Sequence, residues 1–112
     1  MEQYQLERGG VVLGVVTRGE WDGHQASWHD WGWLEPSANY DVVRTLLDEE
    51  CRLHDEVVRL EQEGGDSSVL LAEAARLQAD FMRPGVVLVS LADGARFSLD
   101  EVHAEAGRLY WR

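Results

Sequence analysis

Two short runs of this chain, Val11-Val12-Leu13-Gly14-Val15-Val16 and the segment from Val86 to Leu91, are apolar on both alternating faces. A strand that offers apolar side chains to both sides needs neighbours on both sides, so each run reads as an interior strand of a sheet. Neither is long enough to cross a bilayer. Everything between and around them has to supply the flanking strands and a cover for the sheet.

The flanks carry turn chemistry. Tyr4 to Arg8 is set to pair with the first run across Gly9-Gly10, a two-residue hairpin signal. From Arg18 to Gln25, with Gly19 and Gly23, the chain turns into a third strand over Ala26 to Leu34, closed by Pro36. Ser37 or Asn39 then caps a helix running to about Glu63, where Gly64-Gly65 stops it. Asp66 or Ser67 caps a second helix with one apolar stripe, Leu70, Ala74, Leu77 and Phe81, ended by Arg83-Pro84-Gly85. After the second apolar run, Asp93-Gly94 predicts a two-residue turn into Ala95 to Ser98, and Val102 to Arg112 forms a short hairpin at Ala106-Gly107. The expected architecture is α+β, one domain over residues 1–112: about six mainly antiparallel strands in the order βββααβββ, with a two-helix hairpin packed on one face.

Charge narrows the partners. The 112 residues hold 21 acidic and 10 basic side chains, a net charge of -11. Residues 1–65 contribute 14 acids and five arginines, net -9, whereas residues 66–112 contribute seven acids and five arginines, net -2. Phosphate binding is driven by basic side chains displacing counterions, so nucleic acid is disfavoured as a direct ligand and a basic protein is favoured. All ten basic residues are arginines, Lys and Ile are absent and Asn39 is the one asparagine, a usage expected of a GC-rich bacterial genome. The single Cys51 reads as a reduced thiol, and no basic segment followed by an apolar one opens the chain. The expectation is a cytoplasmic protein with no membrane partner. Self-association stays open.

The outer face of the first helix carries Asp41, Arg44, Asp48, Arg52, Asp55 and Arg59, in which Asp48 with Arg52 and Asp55 with Arg59 are acid-before-base pairs four apart. Its apolar arc, made by Val42, Val43, Leu46, Leu47, Leu53, Val57 and Leu60, has Glu50 and His54 near its middle. These two can touch, either as an acid/base pair or as a buried pair satisfied by each other or by the N–H groups of sheet tryptophans. No HExxH or CxxC cluster accompanies them, so neither a metal nor another cofactor is expected.

The densest stretch is Trp28-His29-Asp30-Trp31-Gly32-Trp33, preceded by Trp21 and His24. In a strand His29, Trp31 and Trp33 share one face, Trp28 and Asp30 the other. Trp31 and Trp33 are expected to pack with Trp111 under the helices, leaving Trp21 and Trp28 as exposed anchors of the kind that dominate binding surfaces. Catalysis has little support. No serine sits in a GxSxG elbow, Cys51 has acidic neighbours that raise its pKa, and no phosphate loop is present.

The resulting expectation is a non-enzymatic, protein-binding protein whose binding residues are Trp21, Trp28, Asp30, Asp48, Glu49, Asp55 and Glu56. In concrete form it is an inhibitor or immunity-type protein neutralising a basic, nucleic-acid-acting partner. Two alternatives stand beside it: a small-molecule or metal-dependent activity centred on Glu50, His54 and the Trp/His strand, and a non-catalytic accessory subunit.

Overall fold

In the computed structural model, which describes residues 1–20 and 28–112, Gly9 and Gly10 take φ angles of +57° and +82°. Such left-handed angles at both central positions match the twist of a tight hairpin, and they join β1 (Gln3–Arg8) to β2 (Val11–Arg18) with Arg8 opposite Val11. Between Leu6 and Glu7 the register shifts, and Leu13 of β2 becomes the extra residue of a bulge. The bulge turns Leu13 inward, where it is 2% exposed.

β3 (Asp30–Pro36) follows β2, then a 3-10 turn over Ala38–Val42, α1 (Arg44–Gln62) and α2 (Ser68–Met82). β4 (Val86–Ser90), β5 (Arg96–Ser98), β6 (Val102–Glu105) and β7 (Arg108–Trp111) complete the chain. All strands among the described residues join one antiparallel sheet of seven, ordered β5-β4-β1-β2-β3-β7-β6. Both doubly apolar runs, β2 and β4, lie inside it, as their patterning requires.

The α+β class, the helical hairpin and the antiparallel sheet agree with the sequence expectation, and four details differ. Four strands follow the helices instead of three, because the tail hairpin adds two, with Ala106 (φ +52°) and Gly107 (φ +80°) as its turn. The Asp93-Gly94 turn is wider than two residues: Ser90 N–H donates to Ala95 C=O at 2.8 Å, which leaves residues 91–94 as the loop. β3 begins at Asp30, so Trp28 precedes it, while Ala26 and Ser27 lie outside the described residues. Helix α1 starts late because its two expected caps are engaged elsewhere. Ser37 Oγ and Asn39 Nδ2 both donate to Val12 C=O, at 3.0 and 3.3 Å, and the chain winds as a 3-10 turn before Arg44.

Leu6, Val16, Leu88, Val102, Leu109 and Trp111 share the sheet face that meets Tyr40, Val43, Leu47 and Phe81. A smaller contact, Leu53 with Ala74 and Leu77, holds the helices to each other. Arg8 ties α2 to β1: its Nε donates to Phe81 C=O at 2.8 Å, its Nη2 to Asp80 C=O at 3.1 Å, and its guanidinium lies over the Phe81 ring. The last carbonyls of a helix lack internal partners and carry partial negative charge, so a cation there satisfies both needs. At the other side of the sheet α1 packs against edge strand β6. Gln78 of α2 bonds to the backbone of Val102 twice, donating to its C=O at 2.6 Å and accepting from its N–H at 3.1 Å.

Candidate functional site

Alternation sends Trp31 and Trp33 of β3, Arg108 and Tyr110 of β7, and His103 and Glu105 of β6 to the face opposite the aliphatic core, since each is one residue out of phase with a core position. Trp31 and Trp33 therefore do not pack under the helices with Trp111. Trp111 does, at 7% exposure, whereas Trp33 is 47% exposed. Trp31 is buried by different means. Its ring lies on Gly19, where an added Cβ would come within 2.3 Å of it, and its Nε1–H donates to Glu20 C=O at 2.8 Å.

These rings form a continuous run. Trp33 meets Trp31 edge to face at 5.4 Å, Trp31 stacks with Tyr110 at 6.4 Å, and Tyr110 leans on His103 at 6.1 Å. Trp28, half-buried just before β3, stacks on His103 at 6.0 Å and 18°. The Arg108 guanidinium covers both Trp31 and Trp33, and that of Arg112 covers Trp28. Ring centroids at these spacings and cations over the ring faces match the quadrupole of each π system.

The run ends on a buried carboxylate. Because α1 lies along the β6 edge, Glu50 reaches His103: its Oε2 is 3.1 Å from Nδ1 of His103, and its Oε1 is 2.8 Å from Nε2 of His54. Glu50 is 3% exposed. The expected contact of Glu50 with His54 is present, and its second partner is a histidine of the sheet instead of a tryptophan N–H. His103 faces a second carboxylate, with Nε2 3.3 Å from Glu105. The hydrogen bond to Glu50 raises the His103 pKa above the ordinary imidazole value, and burial opposes it.

Cys51, one residue along α1, completes the cluster. One ligating atom from each of Cys51, His103 and Glu105 lies within 4.8 Å of the others. Burial, followed by the carboxylates of Glu105, Asp55, Glu50 and Asp48, pushes the Cys51 thiol up to about 11. A thiol so strongly protonated is a poor nucleophile, in line with the sequence reading. Trp28, Glu50 and His54 also line a cavity of about 480 Å³ whose far wall is Leu71, Ala75 and Gln78 of α2.

The binding residues expected from sequence fall into separate places. Trp21 lies outside the described residues. Trp28 belongs to the aromatic run. Asp30 turns to its own neighbourhood: its Oδ2 pairs with Arg18 Nε at 2.6 Å and its Oδ1 accepts from Trp31 N–H. Along α1 the expected pairs of Asp48 with Arg52 and Asp55 with Arg59 are replaced. Arg52 bonds Glu49 and Glu56, and Arg59 bonds Glu63 at 3.4 Å. Asp48 and Asp55 are exposed and take part in no ion pair among the described residues. His103, Glu105 and Tyr110 were not singled out by the sequence, although His103 and Glu105, two apart in a strand, necessarily share a face. No protein-family model, curated protein or solved structure matches this chain.

Proposed function

We propose that this chain is a non-catalytic protein-binding module that docks a basic partner. The aromatic run from Trp33 to His103 makes the contact, and the carboxylates where α1 meets β6 steer the approach. One observation carries this reading: an uninterrupted series of rings, open to solvent at Trp33, ends at His103 against the Glu105 carboxylate, on the strand that packs against the helix carrying Asp48 and Asp55. Large rigid rings give contact area at small entropic loss, and a neighbouring field of one sign accelerates encounter with a partner of the other. Asp48 and Asp55 belong to that field as exposed carboxylates that take part in no ion pair among the described residues. The concrete form is an inhibitor of the immunity type, covering the basic substrate surface of a nucleic-acid-acting enzyme.

An acid/base role for Glu50 has weaker support, because both of its oxygens are engaged by histidines and neither is open to a substrate proton. The test is affinity capture from the native host on immobilised wild-type protein, Trp33→Ala and Asp48→Asn/Asp55→Asn, each at low and high salt. A single basic protein held by wild type, depleted by Trp33→Ala, and bound more slowly and with a flatter salt dependence by the double variant, supports the reading. Retention indifferent to salt and to both variants overturns it.

A further inference from the structure

We propose that Cys51, His103 and Glu105 form a zinc-binding site where α1 crosses the β6 edge. The three side chains come from a helix and a strand about fifty residues apart, yet one ligand atom from each lies within 4.8 Å of the other two. Thiolate, imidazole and carboxylate are the ligand types that Zn²⁺ takes. A tetrahedral site with the usual Zn–S and Zn–N distances has edges of about 3.5 Å, so closing this one requires about an ångström of side-chain rotation. Glu105 is exposed and can supply it.

The argument beyond proximity is the way His103 is held. Glu50, itself 3% exposed, takes the Nδ1 side of the ring at 3.1 Å, which leaves Nε2 directed at Glu105, 3.3 Å away. A carboxylate on one imidazole nitrogen that fixes the ring so the other can bind metal is the recurrent outer-shell arrangement of zinc sites. His54 on the second oxygen of Glu50 and Trp28 stacked on the His103 ring hold the arrangement still. On binding, the Cys51 S–H bond breaks and its electron pair forms the Zn–S bond, the His103 Nε2–H bond breaks and its electron pair forms the Zn–N bond, and both protons leave to solvent. Three protein ligands leave a fourth position for water.

The experiment uses the full chain, freed of metal with a chelator and titrated with Co²⁺ as a spectroscopic probe, then with Zn²⁺. Wild type is expected to bind one equivalent of Co²⁺ with a thiolate-to-metal charge-transfer band that Zn²⁺ abolishes, and Zn²⁺ should raise its melting temperature. Cys51→Ser should lose both the band and the thermal shift while keeping its metal-free melting temperature. Glu50→Gln should keep the band but weaken affinity by about 10- to 100-fold, the range known for outer-shell partners. Absence of a thiolate band in wild type, or Zn²⁺ affinity unchanged in Cys51→Ser, overturns the proposal and assigns any binding to surface carboxylates alone.

Discussion

Trp111 and Trp33 belong to neighbouring parts of one sheet, but they point to opposite faces and live in different surroundings. On the helix side Trp111 sits among Leu6, Val16, Phe81 and Leu109, aliphatic and aromatic side chains that two helices keep dry. On the other side Trp33 leans on Trp31 under the Arg108 guanidinium, and the rings beyond it carry a histidine and two carboxylates. Where a helix covers the sheet, burial comes from elsewhere in the chain and no polar partner is needed. Where neither helix covers it, the aromatic residues have to be neighbours to one another, and they keep edges, cations and acids within reach of solvent. The first face holds the fold together; the second is the one able to meet something else.

The sharpest way to break this contrast is to truncate both tryptophans. Trp111→Ala should cost about 3–5 kcal/mol, the usual loss for a large aromatic in a packed core, read from urea midpoints. Trp33→Ala should lose less than about 1 kcal/mol, as for a surface substitution away from special features. Equal losses would make the open face a second core and remove its candidacy for binding.

Next in size is the polar junction between the faces. Glu50→Ala removes a partner from the half-exposed His54 and strands the largely buried His103, and leaving a buried group unpaired costs about 1–3 kcal/mol. Replacing Glu50 and His54 together by leucine should recover part of that loss, as measured by thermal melts. If the double variant proves worse than the single one, the two side chains contribute through packing and not through their pairing.

A smaller effect follows from His103. Its folded pKa is raised above the unfolded value, chiefly by the hydrogen bond to Glu50. The resulting stabilisation is fully present below about pH 6.5, the ordinary histidine value, and is lost as pH rises through the folded pKa. The stability gap between wild type and His103→Gln should therefore narrow as pH increases across that window. Denaturant midpoints that diverge with rising pH would reverse the assigned sign. Smallest of all is the effect of Asp48→Asn/Asp55→Asn on folding: exposed and outside any ion pair among the described residues, they should leave the melting temperature unchanged.

Local pattern carried much of this fold and little of its candidate site. Strands β2 and β4 are legible because apolar residues at every position admit few other placements, and α2 because Ala74, Leu77 and Phe81 keep a helical period and are all buried. The start of α1 was hidden, since Ser37 and Asn39 look like caps and instead reach back to Val12. Alternation correctly grouped Trp31 with Trp33, but it cannot say which side of a strand the helices will choose. Arg52 selects Glu49 and Glu56 over Asp48 by rotamer geometry on the helix surface, which spacing alone does not resolve. The meeting of Cys51 with His103 and Glu105 depends on α1 lying along β6, a tertiary fact with no trace in either segment read singly.

The double bond of Gln78 to Val102 has a consequence for how copies of this molecule behave in a crowded solution. An exposed strand edge is a template, and a second chain can add to it by continuing the ladder. Gln78 gives Val102 both the donor and the acceptor that an incoming strand would have offered, so the sheet is terminated there by a side chain of its own helix. At the opposite border β5 runs for only three residues, Arg96–Ser98, too few to register a long partner. Lateral growth into ribbons is blunted at both ends, and aggregation by strand addition is discouraged without any loss of the aromatic face to that purpose.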